Sequence, residues 1–330
     1  MAEQNGEQEI FQIRDETAVV GFAAEEMRAC PACGRMNAPN RPKCMYCAEV
    51  LELEAAHIGD AGLRTRRPES DANAFNVVIA AVGEKFDANA AARLLGRDAE
   101  AVGSSVAAGC AVPVGRYETE REAAVICERL GEIGAECRLV SDESLRAAVQ
   151  PRRLRRIEAN GGAIAVFDFN TNERIEFAAA NLLLVVTGTI VETRTETAGK
   201  RKGKTVKIDD TAETVSDMPV MDLYFPGDET GCRVVPHGFD FSCLGDEKGM
   251  LAAENFAKLK ERLKQAAPSA QFVENYAKLR GAIGDIWEIE ERRDSGGLTR
   301  QYGKLGFEKV TAADNRTQFA KFSRLQRQFL

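Results

Sequence analysis

Residues 30–47 read CPACGRMNAPNRPKCMYC, and this stretch decides how the N-terminal part of the chain folds. Cys30 and Cys33 close one Cys-x-x-Cys bend, and Cys44 and Cys47 close a second. Each bend presents two sulfurs from one tight turn, and two bends facing each other make a tetrahedral thiolate cage for zinc. Gly34, Asn37, Pro39, Asn40 and Pro42 between the bends favour turns over a packed helix or strand. The stretch cannot build a hydrophobic core of its own, so a metal has to supply its folding energy. Four thiolates fill the coordination sphere, whereas a catalytic zinc keeps a position open for water. The expectation is one structural zinc on Cys30, Cys33, Cys44 and Cys47. Two independent redox dithiols are the rival reading. Such motifs open a helix after a strand, and no apolar strand precedes Cys30.

Outward from the cysteines, residues 1–27 read as a flexible N-terminal arm, polar over 1–9, and 28–52 as a zinc ribbon. Residues 53–74 hold Gly59, Gly62 and Pro68 with Arg64, Arg66 and Arg67, and read as a linker. Residues 75–141 carry the clearest pattern. Phe75–Val82 is an apolar run of strand length. Helices follow over Asn89–Leu95, stopped at Gly96, and over Ala99–Ala108, with Asp98 as N-cap. Val112–Val114 is a short strand. Thr119 and Glu122 form a capping box that opens a third helix, and Glu136–Val140 is a last strand. The predicted order is β-α-α-β-α-β. Residues 142–160 read as a second linker whose arginines, Arg152, Arg153, Arg155 and Arg156, also suit a charged edge strand. Residues 161–330 read as a larger α+β domain. Its mostly antiparallel strands include Leu182–Thr197, with Gly188 as a bulge, then Lys204–Ile208, Val220–Phe225 and Arg233–Phe241. Helices follow from Glu247, over Ser269–Leu279 and over Ala313–Leu330. Lys200, Arg201, Lys202 and Lys204 sit at a hairpin tip, where they solvate the loop or meet an anionic partner. The fold class is α+β multidomain.

The spacing Cys-x2-Cys-x3-Asn-x6-Cys-x2-Cys resembles the Ran-binding-protein type of zinc finger and the bacterial zinc ribbons that begin CPxCG. Members of the first type bind single-stranded RNA or ubiquitin. That type carries Trp two residues before its first Cys, where this chain has Arg28, so neither activity carries over. The words FNVVIA, TEREAAVICERLGEIG and GAECRLV resemble the C-terminal domain of the bacterial ribosomal stalk protein. That resemblance implies its fold for 75–141. The lysine-bearing turn of the family's translation-factor surface is replaced here by Leu95-Gly96-Arg97-Asp98, which takes the partner out of the implication. The antiparallel meander with a basic hairpin and trailing helices in 161–330 is faintly similar to pleckstrin-homology-type domains.

The chain's 330 residues carry a formal net charge of -7, which excludes a whole-chain basic field for nucleic acid. No apolar run reaches the length of a membrane span, and residues 1–20 lack the marks of a secretory signal. Five further cysteines, Cys110, Cys127, Cys137, Cys232 and Cys243, are scattered and odd in number, as in a reduced cytoplasmic protein. Neither a phosphate-loop glycine frame nor a Gly-x-Ser-x-Gly elbow occurs. A metal site from Cys232, His237 and Cys243 has no familiar spacing, and a structural histidine is the stronger reading. The paired carboxylates Asp209-Asp210 and Glu288 with Glu290 are commonplace. The chain thus reads as a non-enzymatic, zinc-binding regulatory or scaffold protein that contacts an unidentified protein partner. The alternatives are a nucleic-acid-associated zinc-ribbon protein, disfavoured by the charge, and an enzyme hidden in the C-terminal domain.

Overall fold

The structure, a computed structural model, describes residues 22–58, 62–65, 68–69, 73–202, 205–301 and 304–330. Most of the expected N-terminal arm therefore lies outside the described residues. In chain order the strands and helices are β1 (Arg28–Ala29), β2 (Met36–Asn37), β3 (Phe75–Val82), α1 (Ala88–Leu95), α2 (Ala99–Val106), β4 (Val112–Tyr117), α3 (Glu120–Glu132), β5 (Ala135–Ser141), α4 (Asp142–Leu145), β6 (Arg152–Asn160), β7 (Ala163–Asp168), β8 (Arg174–Ala178), β9 (Leu184–Lys202), β10 (Thr205–Tyr224), β11 (Cys232–Val234), α5 (Ala252–Ala266), β12 (Gln271–Val273), α6 (Tyr276–Gly284), β13 (Glu290–Gln301), β14 (Lys304–Asp314) and α7 (Arg316–Gln328). The protein is α+β.

Local signals account for the ends of the first helices. Asp87 accepts from the N–H groups of Asn89 and Ala90 at the start of α1, and Gly96 ends it in the left-handed conformation. Asp98 caps α2. Thr119 and Glu122 close a reciprocal capping box on α3.

Strand β3 lies between β4 and β5 in a three-stranded antiparallel sheet, and it is buried on both faces. Val77 and Ile79 join Val102, Ile126 and Leu130 of the helices in one core. Val78 points the other way, with Val112 and Val140, into a second core built from Tyr276 and Ile283 of α6 and Phe319, Phe322 and Leu325 of α7. This is why 77–79 is a continuous apolar run rather than an alternating one. The same second core takes Leu184, Val186 and Ile190 from β9 and Val220 and Tyr224 from β10. The far face of the large sheet packs Val185, Leu223 and Ile157 against Phe256, Leu259 and Leu263 of α5. The molecule is therefore layered: α1–α3, the small sheet, α6 with α7, the large sheet, α5.

The large sheet has strand order β13-β14-β9-β10-β11-β6-β7-β8, and β12 pairs with the first residues of β9. Most pairings are antiparallel, but β11–β6 and β12–β9 are parallel, so the sheet is mixed rather than a pure meander. Several sequence expectations differ here. Residues 152–160, expected as linker or edge strand, form β6 inside the sheet between β11 and β7. Leu154 and Ile157 are buried there, while Arg153 stacks on Phe169 at 3.8 Å and Arg156 on Phe167 at 3.8 Å. Residues 53–74, also expected as linker, bury Leu53, Ala55 and Ile58 in the core under α3. Of the expected strands Lys204–Ile208 and Val220–Phe225, residues 205–208 and 220–224 belong to one strand, β10, and Lys204 lies outside the described residues. Of the expected strand to Phe241, Cys232–Val234 forms β11, Gly238 with a φ of 76° turns the chain, and Asp240 makes only an isolated bridge to Arg156. Ser269–Leu279 is not one helix, because Gln271–Val273 adds to β9 before α6 begins. The helix expected from Ala313 begins at Arg316, because β14 runs on to Asp314.

Gly188 makes no bulge; its register with Val220 is regular. A methyl group there would lie 2.6 Å from Phe319 Cε2 and 2.7 Å from Tyr276 Cδ1, so glycine admits two aromatic rings onto the strand.

Candidate metal centre

The two cysteine bends are built alike. Gly34 N–H donates to Cys30 O at 2.8 Å, and Ala48 N–H donates to Cys44 O at 3.0 Å. Cys30 N–H reaches Arg35 O at 2.9 Å, and Cys44 N–H reaches Glu49 O at 2.8 Å. The residue after each second cysteine is left-handed, Gly34 with φ 71° and Ala48 with φ 62°. The paired bends bring the four sulfurs within 4.8 Å of one another. Two edges of the figure are 3.6 Å, Cys30 to Cys47, and 3.7 Å, Cys33 to Cys44. A tetrahedron with a metal–sulfur bond of about 2.3 Å has edges of about 3.8 Å, so the donor set has the size a metal ion such as zinc requires.

Asn37, fully buried, joins the bends. Its amide donates to Arg35 O at 2.9 Å and to Cys44 Sγ at 3.4 Å, and its Oδ1 accepts from Met45 N–H at 3.0 Å. Burial pushes the Cys44 thiol up. The N–H groups of Tyr46 and Cys47, the Asn37 amide and Cys33 outweigh it and bring Cys44 down to about 6. Cys47 goes the other way: the Glu49 N–H favours its thiolate, but Cys33, burial, Cys30 and Cys44 together push it up to about 12. Four sulfurs this close cannot all ionise unaided, and a bound cation is what would offset their repulsion. Cys30 and Cys44 are buried with Leu51, while Cys33 and Cys47 face solvent.

The knuckles are docked rather than tethered. Lys43 pairs with Glu118 at 2.9 Å, Arg121 Nε donates to Leu53 O at 3.1 Å, and Asn40 donates to Gly62 O at 2.7 Å. The outer surface of the unit shows Met36, Met45, Tyr46 and Val50 at 46%, 59%, 51% and 68% exposure. The Arg35 guanidinium lies 4.7 Å from the centre of the Tyr46 ring.

Among the described residues the four cysteines are the only cluster of metal-ligand type, and Cys232, His237 and Cys243 do not assemble into one. Lys200, Arg201 and Lys202 end β9, where Lys202 pairs with Thr205 of β10; Lys204 and Gly203 lie outside the described residues.

Sequence reasoning missed a buried polar cluster between the small sheet and α7. Asp142 accepts from Arg116 Nε at 2.8 Å, Lys321 Nζ at 3.1 Å and Asn76 Nδ2 at 3.0 Å. Asn76 Oδ1 accepts from Trp287 Nε1 at 2.8 Å. The chain of bonds continues from Gln318 to Trp287 O, from Tyr276 to Gln318, from Asn315 to Tyr276 and from Val191 N–H to Asn315 Oδ1, linking β3 to β9. Burial pushes the Asp142 carboxyl up, but Lys321, Asn76 and Arg116 more than offset it and hold it below the ordinary carboxylate range. Each of these side chains bonds another member of the cluster, and Arg116 also donates to Glu69 O at 2.8 Å, so the cluster acts as a joint between layers. Its members are far apart in the chain, and no local motif announces them.

No family model, curated protein or solved structure matches this chain.

Proposed function

We propose that the chain is a non-enzymatic regulatory or scaffold protein that holds one structural zinc through Cys30, Cys33, Cys44 and Cys47 and acts by contacting another protein. The observation that carries this reading is the exposure of Met36, Met45, Tyr46 and Val50 on the one unit of the molecule that a metal would hold rigid. Large apolar side chains exposed on one small, docked knuckle suit a protein contact, in which aromatic and Met side chains serve as anchors. The likeness to CPxCG-type ribbons and to the stalk-protein module supports the same picture of small binding units reused in a larger chain. The basic end of β9, with Lys204, would be a second contact for an acidic patch, and its contribution would fall as salt rises. No helix among the described residues is long and apolar enough to cross a membrane, and the reduced cysteines suit the cytoplasm. The nucleic-acid reading draws less support, because Arg153 and Arg155 are committed to His237 O and Phe169 O.

Metal analysis of the purified chain should find about one zinc per molecule, lost in the Cys44→Ser, Cys47→Ser double variant. A Met45→Ser, Tyr46→Ser, Val50→Ser variant should keep its zinc and lose the partner captured by the intact chain, at low and moderate salt alike. Retained capture by that variant would overturn the contact surface, and zinc retained without Cys44 and Cys47 would overturn the metal site.

A further inference from the structure

A cavity of 520 Å³ opens where four parts of the chain meet: residues 62–65, the turn 94–98 between α1 and α2, residues 114–117 of β4, and residues 285–286 after α6. Its size falls within the roughly 300–1,000 Å³ of small-molecule sites. Two glycines shape it. A Cβ on Gly62 would lie 2.2 Å from Leu94 O, so glycine lets the segment 62–65 close down on the end of α1. A Cβ on Gly115 would lie 2.7 Å from Tyr117 Cε2 and 2.9 Å from Tyr117 Oη, so glycine lets that ring fold back along β4. Leu94, Leu95, Val114 and Ile286 give the walls an apolar part.

Arg97 supplies the charge. Its N–H donates to Ala92 O at 2.9 Å, which closes the end of α1 and fixes the backbone from which the side chain starts. Only 11% of that side chain is exposed. Nη2 donates to Ala282 O of α6 and lies 3.4 Å from Asp285, whose own side chain is mostly exposed. Nη1 is buried and has no hydrogen-bond partner. A buried cationic donor left in this way has given up its water without replacing it. Arg116, the second arginine of the wall, is in a different position, because Asp142 and Glu69 O take up its donors. The carboxylate of Asp98 is occupied at 2.9 Å by Ala101 N–H. We propose that this cavity binds a small organic carboxylate and that Arg97 receives the carboxylate group. A planar carboxylate matches the guanidinium fork and brings one negative charge to one cation. A phosphate dianion would bring a second charge against apolar walls with no cation to meet it. The rest of the ligand would lie on Leu95, Val114 and Ile286. The proposal does not depend on what the cysteine knuckles bind.

The test uses the full-length chain with zinc present and a photoreactive aromatic acid, para-benzoylbenzoate, as the probe. After irradiation and digestion, mass spectrometry locates the label. The expected result is saturable labelling within 62–65, 94–98, 114–117 or 285–286, displaced by phenylacetate but not by phenylacetamide. The neutral probe para-benzoylbenzamide should label those segments at least about tenfold less, the equivalent of one decade in affinity. Arg97→Gln should lower the acid's labelling to the level of the amide. The comparison of acid with amide is made on the unmutated chain and stands whether or not that variant folds. Equal labelling by acid and amide, or labelling confined to other segments, overturns the site. Inorganic phosphate displacing the probe as well as phenylacetate does overturns the choice of a carboxylate, and a folded Arg97→Gln that labels as the unmutated chain does overturns the role of Arg97.

Discussion

Gly188 lies against the rings of Tyr276 and Phe319, which come from helices α6 and α7. A methyl group there has no room unless both rings move, and both are fully buried. Gly188→Ala should therefore cost about 1–3 kcal/mol, read as a lower urea midpoint with unchanged slope; a loss within 0.5 kcal/mol, on the order of an ordinary surface change, would show that the rings yield. The residue type was visible in the sequence, but its reason was not, because the atoms that demand glycine arrive from much later in the chain. Asp142 makes the same point with charge. In sequence it opens a stretch read as linker; in the fold Ser141 caps α4 and Asp142 neutralises Arg116 and Lys321. Its carboxyl is depressed in the folded state, so the stability it contributes is fully present above its unfolded value of about 4 and is lost as pH falls through the folded value. Asp142→Asn leaves two buried cations facing an amide and should cost about 3–5 kcal/mol at neutral pH. Urea titrations of the two proteins between pH 5 and pH 2, on the order of the carboxylate range, should converge as the acid limb is reached. Parallel curves would remove Asp142 as the source of that limb.

At the scale of elements, the cysteine bends were the most legible part of the chain. Their spacing carries both the turn and the ligand set, and all of it is local. The helices with capping residues were legible for the same reason. The near-twofold likeness of the bends also exposes an inequality, since the left-handed position is Gly34 in one and Ala48 in the other. A side chain in that conformation costs roughly 1 kcal/mol. Ala48→Gly should tighten zinc binding about fivefold in a chelator competition, the equivalent of about 1 kcal/mol. Equal or weaker binding would mean that the second bend is relaxed as it stands. The strands made by charged residues were the least legible. Strand β6 reads from sequence as a linker or a charged edge strand, whereas Arg153 and Arg156 lie over the rings of Phe169 and Phe167 inside the sheet. Strands β13 and β14 carry few apolar residues; they pair with each other and β14 pairs with β9 along the backbone ladder.

At the scale of the whole molecule, the units suggested by sequence do not stand apart. Helices α6 and α7 fill the space between the two sheets, and one core draws on residues from Val78 to Leu325. Limited trypsin digestion should therefore spare the bonds after Arg152, Arg153, Arg155 and Arg156, since β6 is bonded along both edges. An early cut there, with the rest of the chain intact, would restore a flexible boundary between 141 and 161. The placement of α7 also bears on how the protein is made. The small sheet is complete at Ser141, roughly 135 residues before α6 begins at Tyr276, and at about 5–20 residues per second the gap lasts on the order of 7–27 s. For all of that time the small sheet has helices on one side and nothing of its own to cover the other. Newly made chains would carry a bare greasy surface that only later synthesis can close, and a cell producing this protein has to shield that surface until translation catches up.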